Sequence, residues 1–211
     1  MKKRKERKNE SKDLLDASPF GSYRNYFEPL KKGEARALKD KKSAKHSFLP
    51  IRVGEEGVFL AEPDGKLIPE LPNQRKCDFL AYCQMKPQAC FIELKGENIS
   101  VKEADNPYDQ IRKTLLFLRD NEELGGLVSG KVEKHAFIVS PGRQKLPKGV
   151  EHRERQLWQA LAQLETRRSR ISDLVHYVKV TNSDPYSQGS QIICSPKSPM
   201  EIPFKIRKDR L

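Results

Sequence analysis

The sequence predicts an α/β fold, a mixed central sheet with helices on its faces. Three observations carry that expectation. Short apolar runs separated by brief turns fill residues 50–95, the pattern of antiparallel neighbours. An amphipathic stretch follows, in which Tyr108, Ile111, Leu115 and Leu118 recur at helical spacing. The apolar run HAFIVS, residues 135–140, then reads as a buried strand that ends at Pro141-Gly142.

Taken in order, residues 1–18 are dominated by charge and lack periodicity, which predicts a basic flexible arm. Residues 19–49 form an N-terminal extension, where Phe20, Tyr23, Tyr26 and Phe27 give way to a lysine-rich stretch with a thin apolar stripe. A helix over residues 28–42 is the expectation there. The core is expected over residues 50–195. Residues 51–61 read as a strand with an irregularity at Gly54 and Gly57, and Pro63-Asp64-Gly65 as a turn. Residues 67–71 read as a short return strand, placed at an edge by Pro69, which cannot donate to a ladder. KCDFLAYC (76–83) and ACFIELK (89–95) are strands joined by a turn.

Asn106 and Pro107 supply the cap and first turn of the amphipathic helix. A second helix is expected over residues 151–175, with Leu157, Leu161, Leu164 and Ile171 as its apolar stripe and Trp158 beside it in the core. Strands over residues 177–180 and 191–194 follow. Pro196, Pro199 and Pro203 mark an irregular basic tail, residues 196–211.

With 211 residues, 36% hydrophobic and 33% charged, the chain suits one domain with extensions and a modest core. No apolar run approaches the roughly 20 residues that span a bilayer, and no apolar segment follows the basic N-terminus as in a signal peptide. The expectation is a cytoplasmic protein without a membrane partner. The net charge is +12, and residues 1–50 hold fifteen Lys/Arg against seven Asp/Glu. That distribution suits a polyanionic partner, nucleic acid, because neutralising phosphates releases counterions; a tail that only aids solubility is the bland alternative. Cys77, Cys83, Cys90 and Cys194 form no C-x-x-C pair, and His46, His135, His152 and His176 have no zinc-finger spacing. Buried thiols in a reducing compartment are the expectation. His46 and His135 read as packing residues.

The informative constellation is FIELK, residues 91–95. Strand alternation puts Glu93 and Lys95 on one face and Ile92 and Leu94 on the other. A carboxylate and an amine in an apolar strand are costly to bury unless each has a partner. Two of the three Glu-x-Lys triplets lie in the charged arm, and only this one lies in a strand. If KCDFLAYC pairs with ACFIELK, Asp78 and Glu93 converge. Two carboxylates with a main-chain carbonyl and water are a donor set that Mg²⁺ selects, and such a metal can acidify water and neutralise charge at a phosphate. Lys95 would then stabilise the attacking hydroxide and the transition-state charge.

Asp78, fourteen residues, then Glu93-Leu94-Lys95 on adjacent strands resembles the PD-(D/E)xK nuclease superfamily, over residues 50–140 and most specifically 76–118. The resemblance implies a restriction-endonuclease-like core of helix, three strands, helix and strand, and a metal-dependent nuclease acting on phosphodiester bonds, preferably in DNA, in restriction, phage defence or repair. It implies Mg²⁺ or Mn²⁺ held by Asp78, Glu93 and the Leu94 carbonyl, a catalytic Lys95, and Gln110 on the helix after the motif. Cys77 stands where the family expects proline. An acidic residue on the first core helix is also implied; Glu34 is the candidate, with Glu56 and Glu70 competing.

The candidate phosphate contacts are Lys2, Lys3, Arg4, Lys5, Arg112 and Lys113, with Arg153, Arg155, Arg167, Arg168 and Arg170 equally readable as solvated. Without an evident recognition domain, a second copy or a protein partner would supply specificity. The competing readings are an inactive nucleic-acid-binding module on the same core, a basic ribonucleoprotein component, and a merely structural Glu93–Lys95 ion pair with Asp78 capping a bulge.

Overall fold

A computed structural model of the chain describes residues 19–39, 47–64, 66–69, 75–96, 106–140, 150–165, 170–181 and 192–205. The main sheet has seven strands in the order β1-β4-β5-β6-β7-β8-β9. They are β1 (Glu28–Leu30), β4 (Val58–Ala61), β5 (Phe79–Cys83), β6 (Gln88–Leu94), β7 (Glu133–Ser140), β8 (Val175–Val180) and β9 (Ile192–Cys194). A second sheet joins β10 (Met200–Ile202) in parallel, and β2 (Ala35–Lys39) antiparallel, to β3 (Phe48–Val53).

Connection length explains the strand directions. The turn over residues 84–87 leaves β5 and β6 antiparallel, and β1, β4 and β5 also pair antiparallel. Parallel pairing needs a crossover, and helix α1 (Pro107–Asp120) provides it between β6 and β7. Helix α2 (Glu151–Ala162) and the one-turn α3 (Ile171–Leu174) lie between the parallel β7 and β8. Asn106 caps α1, its side chain accepting the Tyr108 N–H at 3.1 Å, as its sequence predicts.

Both faces of the main sheet are covered. On one, Leu80, Tyr82, Phe91, Ala136 and Ile138 pack with Tyr108, Ile111, Leu115 and Leu118 of α1 and Leu157 and Leu161 of α2. On the other, Phe79, Ala81, Ile92, Leu94, Phe137 and Val139 pack with Leu38, Leu49, Ile51 and Met200 of the second sheet. The fold is mixed α/β with a mixed sheet, as expected. All four cysteines are buried free thiols. Trp158 packs, partly buried, against the helical-side core. Among the described residues no helix is long and apolar enough to cross a membrane.

Several expectations are corrected. The helices cover one face only; the other is covered by the second sheet, in which β2 and β10 come from parts of the chain expected to be helical and irregular. Within the expected helix 28–42, residues 28–30 and 35–39 are β1 and β2, with Leu30 and Leu38 turned inward, and residues 40–42 lie outside the described residues. Residues 200–202 of the expected irregular tail are β10. The run 51–61 is two strands in different sheets: Gly57, at φ +71°, lets the chain turn between them. Leu67 and Ile68 are buried, yet Ile68 forms only an isolated bridge with Asp64. The second helix ends at Ala162, and Ile171, 38% exposed, opens a separate turn before β8.

Candidate active site

Three consecutive backbone N–H groups just before β5 are held by side chains from three different elements. Lys76 N–H donates to Asp64 Oδ1 at 3.3 Å, Cys77 N–H to Thr114 Oγ1 of α1 at 3.0 Å, and Asp78 N–H to Glu93 Oε2 of β6 at 3.1 Å. A non-proline residue at position 77 therefore has a local reason. Proline has no N–H to offer Thr114, whose hydroxyl in turn donates to the Gln110 carbonyl at 3.0 Å.

The β5–β6 ladder ends at Phe79 opposite Ile92. Beyond it, side chains continue the pairing: Asp78 accepts the Leu94 N–H on Oδ2 at 2.7 Å and returns its own N–H to Glu93. Lys95 closes the group. Its Nζ lies 2.7 Å from Glu93 Oε1 and donates to Gln110 Oε1 at 2.7 Å. Asp78, Glu93, Lys95 and Gln110, the four catalytic candidates, are thus one hydrogen-bonded cluster between the end of β6 and the first turns of α1. Glu93 is 1% exposed and Gln110 is buried, whereas Asp78 and Lys95 are partly exposed. The cluster opens outward through those two.

Electrostatics distinguishes the members. Burial, then the neighbouring Asp78 carboxylate, pushes the Glu93 carboxyl well above the usual carboxylate range, and Lys95 opposes both. Glu93 thus meets a second carboxylate, Asp78, and one ammonium, Lys95. The donors are hard oxygens, so the group fits Mg²⁺ or Mn²⁺ chemically. Among the described residues no three His, Cys, Asp or Glu side chains converge as a metal-binding group, so backbone carbonyl and water would have to complete the shell.

No family model, curated protein or solved structure matches this chain.

The other candidates stand apart from the cluster. Glu34 is in no helix: it sits just before β2, accepts the Lys31 N–H at 3.0 Å and pairs with Arg36 at 3.1 Å. Glu56 is exposed in the turn before β4. Glu70, His46, Lys2, Lys3, Arg4, Lys5, Arg167 and Arg168 lie outside the described residues. Arg153 is bonded to Asp109 of α1, and Arg112 lies 3.7 Å from the same carboxylate. His135 is a buried packing residue, its Nδ1 3.0 Å from His176 Nε2.

Thr114 and Lys76 are the neighbours of the site that the sequence left unmarked. Thr114 was readable in principle, one helical turn after Gln110 and so on the same face of α1. Lys76 gave no signal, since a lysine at the start of a strand is ordinarily solvated. Here it is 6% exposed, and burial, reinforced by Lys113, lowers the proton affinity of its ammonium.

Proposed function

We propose that the chain is a metal-dependent phosphodiester hydrolase acting on nucleic acid, preferably DNA, with Asp78 and Glu93 as metal ligands and Lys95 and Gln110 as their catalytic partners. The observation that carries this reading is the cluster itself. Residues 15 or 16 positions apart along the chain meet within hydrogen-bond distance at one strand end. The order of antiparallel β4-β5-β6, then α1, then parallel β7 supports a restriction-endonuclease-like core. No α-helix precedes β4 among the described residues, so the first element of that core is without a counterpart there.

When bound, a divalent cation supplies positive charge against the phosphate and acidifies water. The protein's own residues do the rest. Asp78 is fixed by the Leu94 N–H, so its carboxylate is aimed before any ligand arrives. Gln110 and Glu93 hold the Lys95 ammonium from two sides while the side chain keeps some exposure. That ammonium can donate to a non-bridging phosphate oxygen or to the attacking water, without reorganising as charge develops.

A second reading has an observation in its favour. The same carboxylates satisfy backbone N–H groups at the end of the ladder, which is what a structural closure of the sheet does. Incubation of the protein with plasmid, linear and single-stranded DNA and with RNA, in Mg²⁺, Mn²⁺ or EDTA, separates the two. Cleavage should require the ion and vanish in Asp78→Ala and in Glu93→Ala. Full activity in EDTA or in both variants would sink the proposal; a folded, inactive chain that still binds nucleic acid would favour the binding module.

A further inference from the structure

We propose that the cleft beside β1 receives an unpaired base of the nucleic-acid strand, stacked on Tyr26, with the adjoining phosphate on Arg24 and Lys66. The inference rests on the hydrolase reading for the identity of the polymer, and on the cleft for the site. The cleft has a volume of about 510 Å³, within the usual range of ligand sites. The 3₁₀ turn Gly21–Tyr26 forms one wall, and the end of β4 with Glu62 and Lys66 forms the other. The aromatic residues of this segment divide into two kinds. Phe20 and Phe27 are buried and stacked, with ring centroids 3.9 Å apart, and Tyr23 packs partly buried against the core. Of the four, only Tyr26 is left out, 49% exposed, with Arg24 and Asn25 exposed beside it.

The turn is fixed by groups other than Tyr26. Ser22 Oγ donates to Glu123 Oε1 at 3.1 Å, the Ser22 N–H is held by the same carboxylate, and Tyr23 Oη accepts from Asn121 Nδ2 at 3.0 Å. The Tyr26 ring is therefore offered on a pinned support, which reduces the ordering cost of binding. An aromatic face flanked by cations suits a single strand, because every base has a face to stack and the phosphate follows the positive charge. Glu28 and Glu62 also line the cleft. Glu28 is occupied by Arg36, at 2.6 and 2.7 Å, whereas Glu62 pairs with Lys66 at 2.8 Å in an exposed i,i+4 contact. Exposed pairs of this kind contribute little, so Lys66 can turn from Glu62 to a phosphate at small cost.

A peptide strand fits this edge less well. β1 is the outer strand of the main sheet, but it has three residues and its central one is Pro29, which has no N–H to donate. Position connects the cleft to the chemistry. Ala61 of β4 pairs with Leu80 of β5, two residues from Asp78, and Glu28 of β1 pairs with Leu60. Two strand spacings, about 10 Å, thus separate β1 from the strand that follows Asp78. That is roughly three nucleotides at the duplex step of about 3.4 Å. The substrate class that follows is nucleic acid with an unpaired segment beside the phosphate that is cut.

The test measures the affinity of the full chain for labelled oligodeoxynucleotides in EDTA, which prevents metal-dependent cleavage. The probes are a blunt duplex, a duplex with a single-stranded extension, and a single strand. Tyr26→Ala should weaken binding to the single strand and the extended duplex by about 5- to 150-fold, the usual loss per stacked base, and leave the blunt duplex unchanged. Tyr26→Trp should retain the parent affinities. Lys66→Ala should lower the salt slope on single strands by about 0.7 log unit, one phosphate contact. Equal losses on blunt duplex and single strand overturn the base site, as do parent affinities in Tyr26→Ala or a wild type that binds no oligonucleotide. Deoxyadenosine monophosphate that binds as tightly as the oligonucleotide would put a free nucleotide, not a strand, in the cleft, and overturns it too. Tyr26-dependent binding in a chain that cleaves nothing with Mg²⁺ or Mn²⁺ keeps the site and overturns the hydrolase. Metal-dependent cleavage with Tyr26-independent binding does the reverse. If Tyr26→Ala does not fold, the Lys66→Ala slope decides.

Discussion

Lys95 separates catalysis from architecture. It touches Glu93 and Gln110 at 2.7 Å each, so either role accounts for its position. Its removal leaves Glu93 with less opposing charge, and that carboxyl, already pushed upward by burial and Asp78, can take a proton rather than remain a buried anion. The fold should therefore survive Lys95→Ala, while turnover falls by on the order of 10²–10³, the usual cost of one such transition-state contact. Circular dichroism and single-turnover cleavage on the same preparation check this. Loss of the folded signal would assign Lys95 to the structural ion pair.

The strands β7 and β8 carry a pH-sensitive seam far from any chemistry assigned to the site. His176 stacks on Phe137 at 5.0 Å, meets Phe204 at 4.9 Å and approaches His135 Nδ1 at 3.0 Å. Phe204 is held there by Gln88, which donates to its carbonyl at 2.9 Å and accepts its N–H. Burial, then the neighbouring His135, lowers the His176 imidazole to about 3 from the usual 6.5. The folded state thus binds the proton more weakly than the unfolded chain. His176's contribution to stability is complete above about pH 6.5 and is lost as pH falls toward 3, at up to about 1.4 kcal/mol per pH unit. Urea unfolding at pH 7, 6, 5 and 4 should show a steeper decline for the wild type than for His176→Gln. Parallel curves would mean that the imidazole titrates normally.

For the molecule as a whole, charge and chemistry are divided along the chain. Fifteen Lys/Arg against seven Asp/Glu lie in residues 1–50, whereas the carboxylate cluster belongs to β5, β6 and α1. Deleting residues 1–18 should weaken binding to all sequences alike and flatten the salt slope by about 0.9 log unit per lost duplex phosphate contact. Single-turnover cleavage at saturating protein should persist. An unchanged slope would show that the arm does not touch nucleic acid, and loss of saturated cleavage would show that it helps to build the site.

Periodicity determined much of this protein directly. The α1 face, the β5 and β6 alternation and the meeting of Asp78 with Glu93 are local patterns plus one short turn, so a single sequence carries them. Gln110 is singled out only through the resemblance, which implies a glutamine on the helix after the motif. Tertiary structure decided what local pattern cannot encode. Residues 28–30 became the edge strand of the main sheet by pairing with β4, and residues 35–39 and 200–202 became strands of the second sheet, which covers Ile92, Leu94, Phe137 and Val139; short segments take the conformation that buries their few apolar side chains. Lys76 is buried where its own N–H meets Asp64, 12 residues away, and where the N–H of the adjoining Cys77 meets Thr114 of α1, 37 residues away. Burial is a property of what packs against a residue, and no pattern within the run KCDFLAYC contains that information.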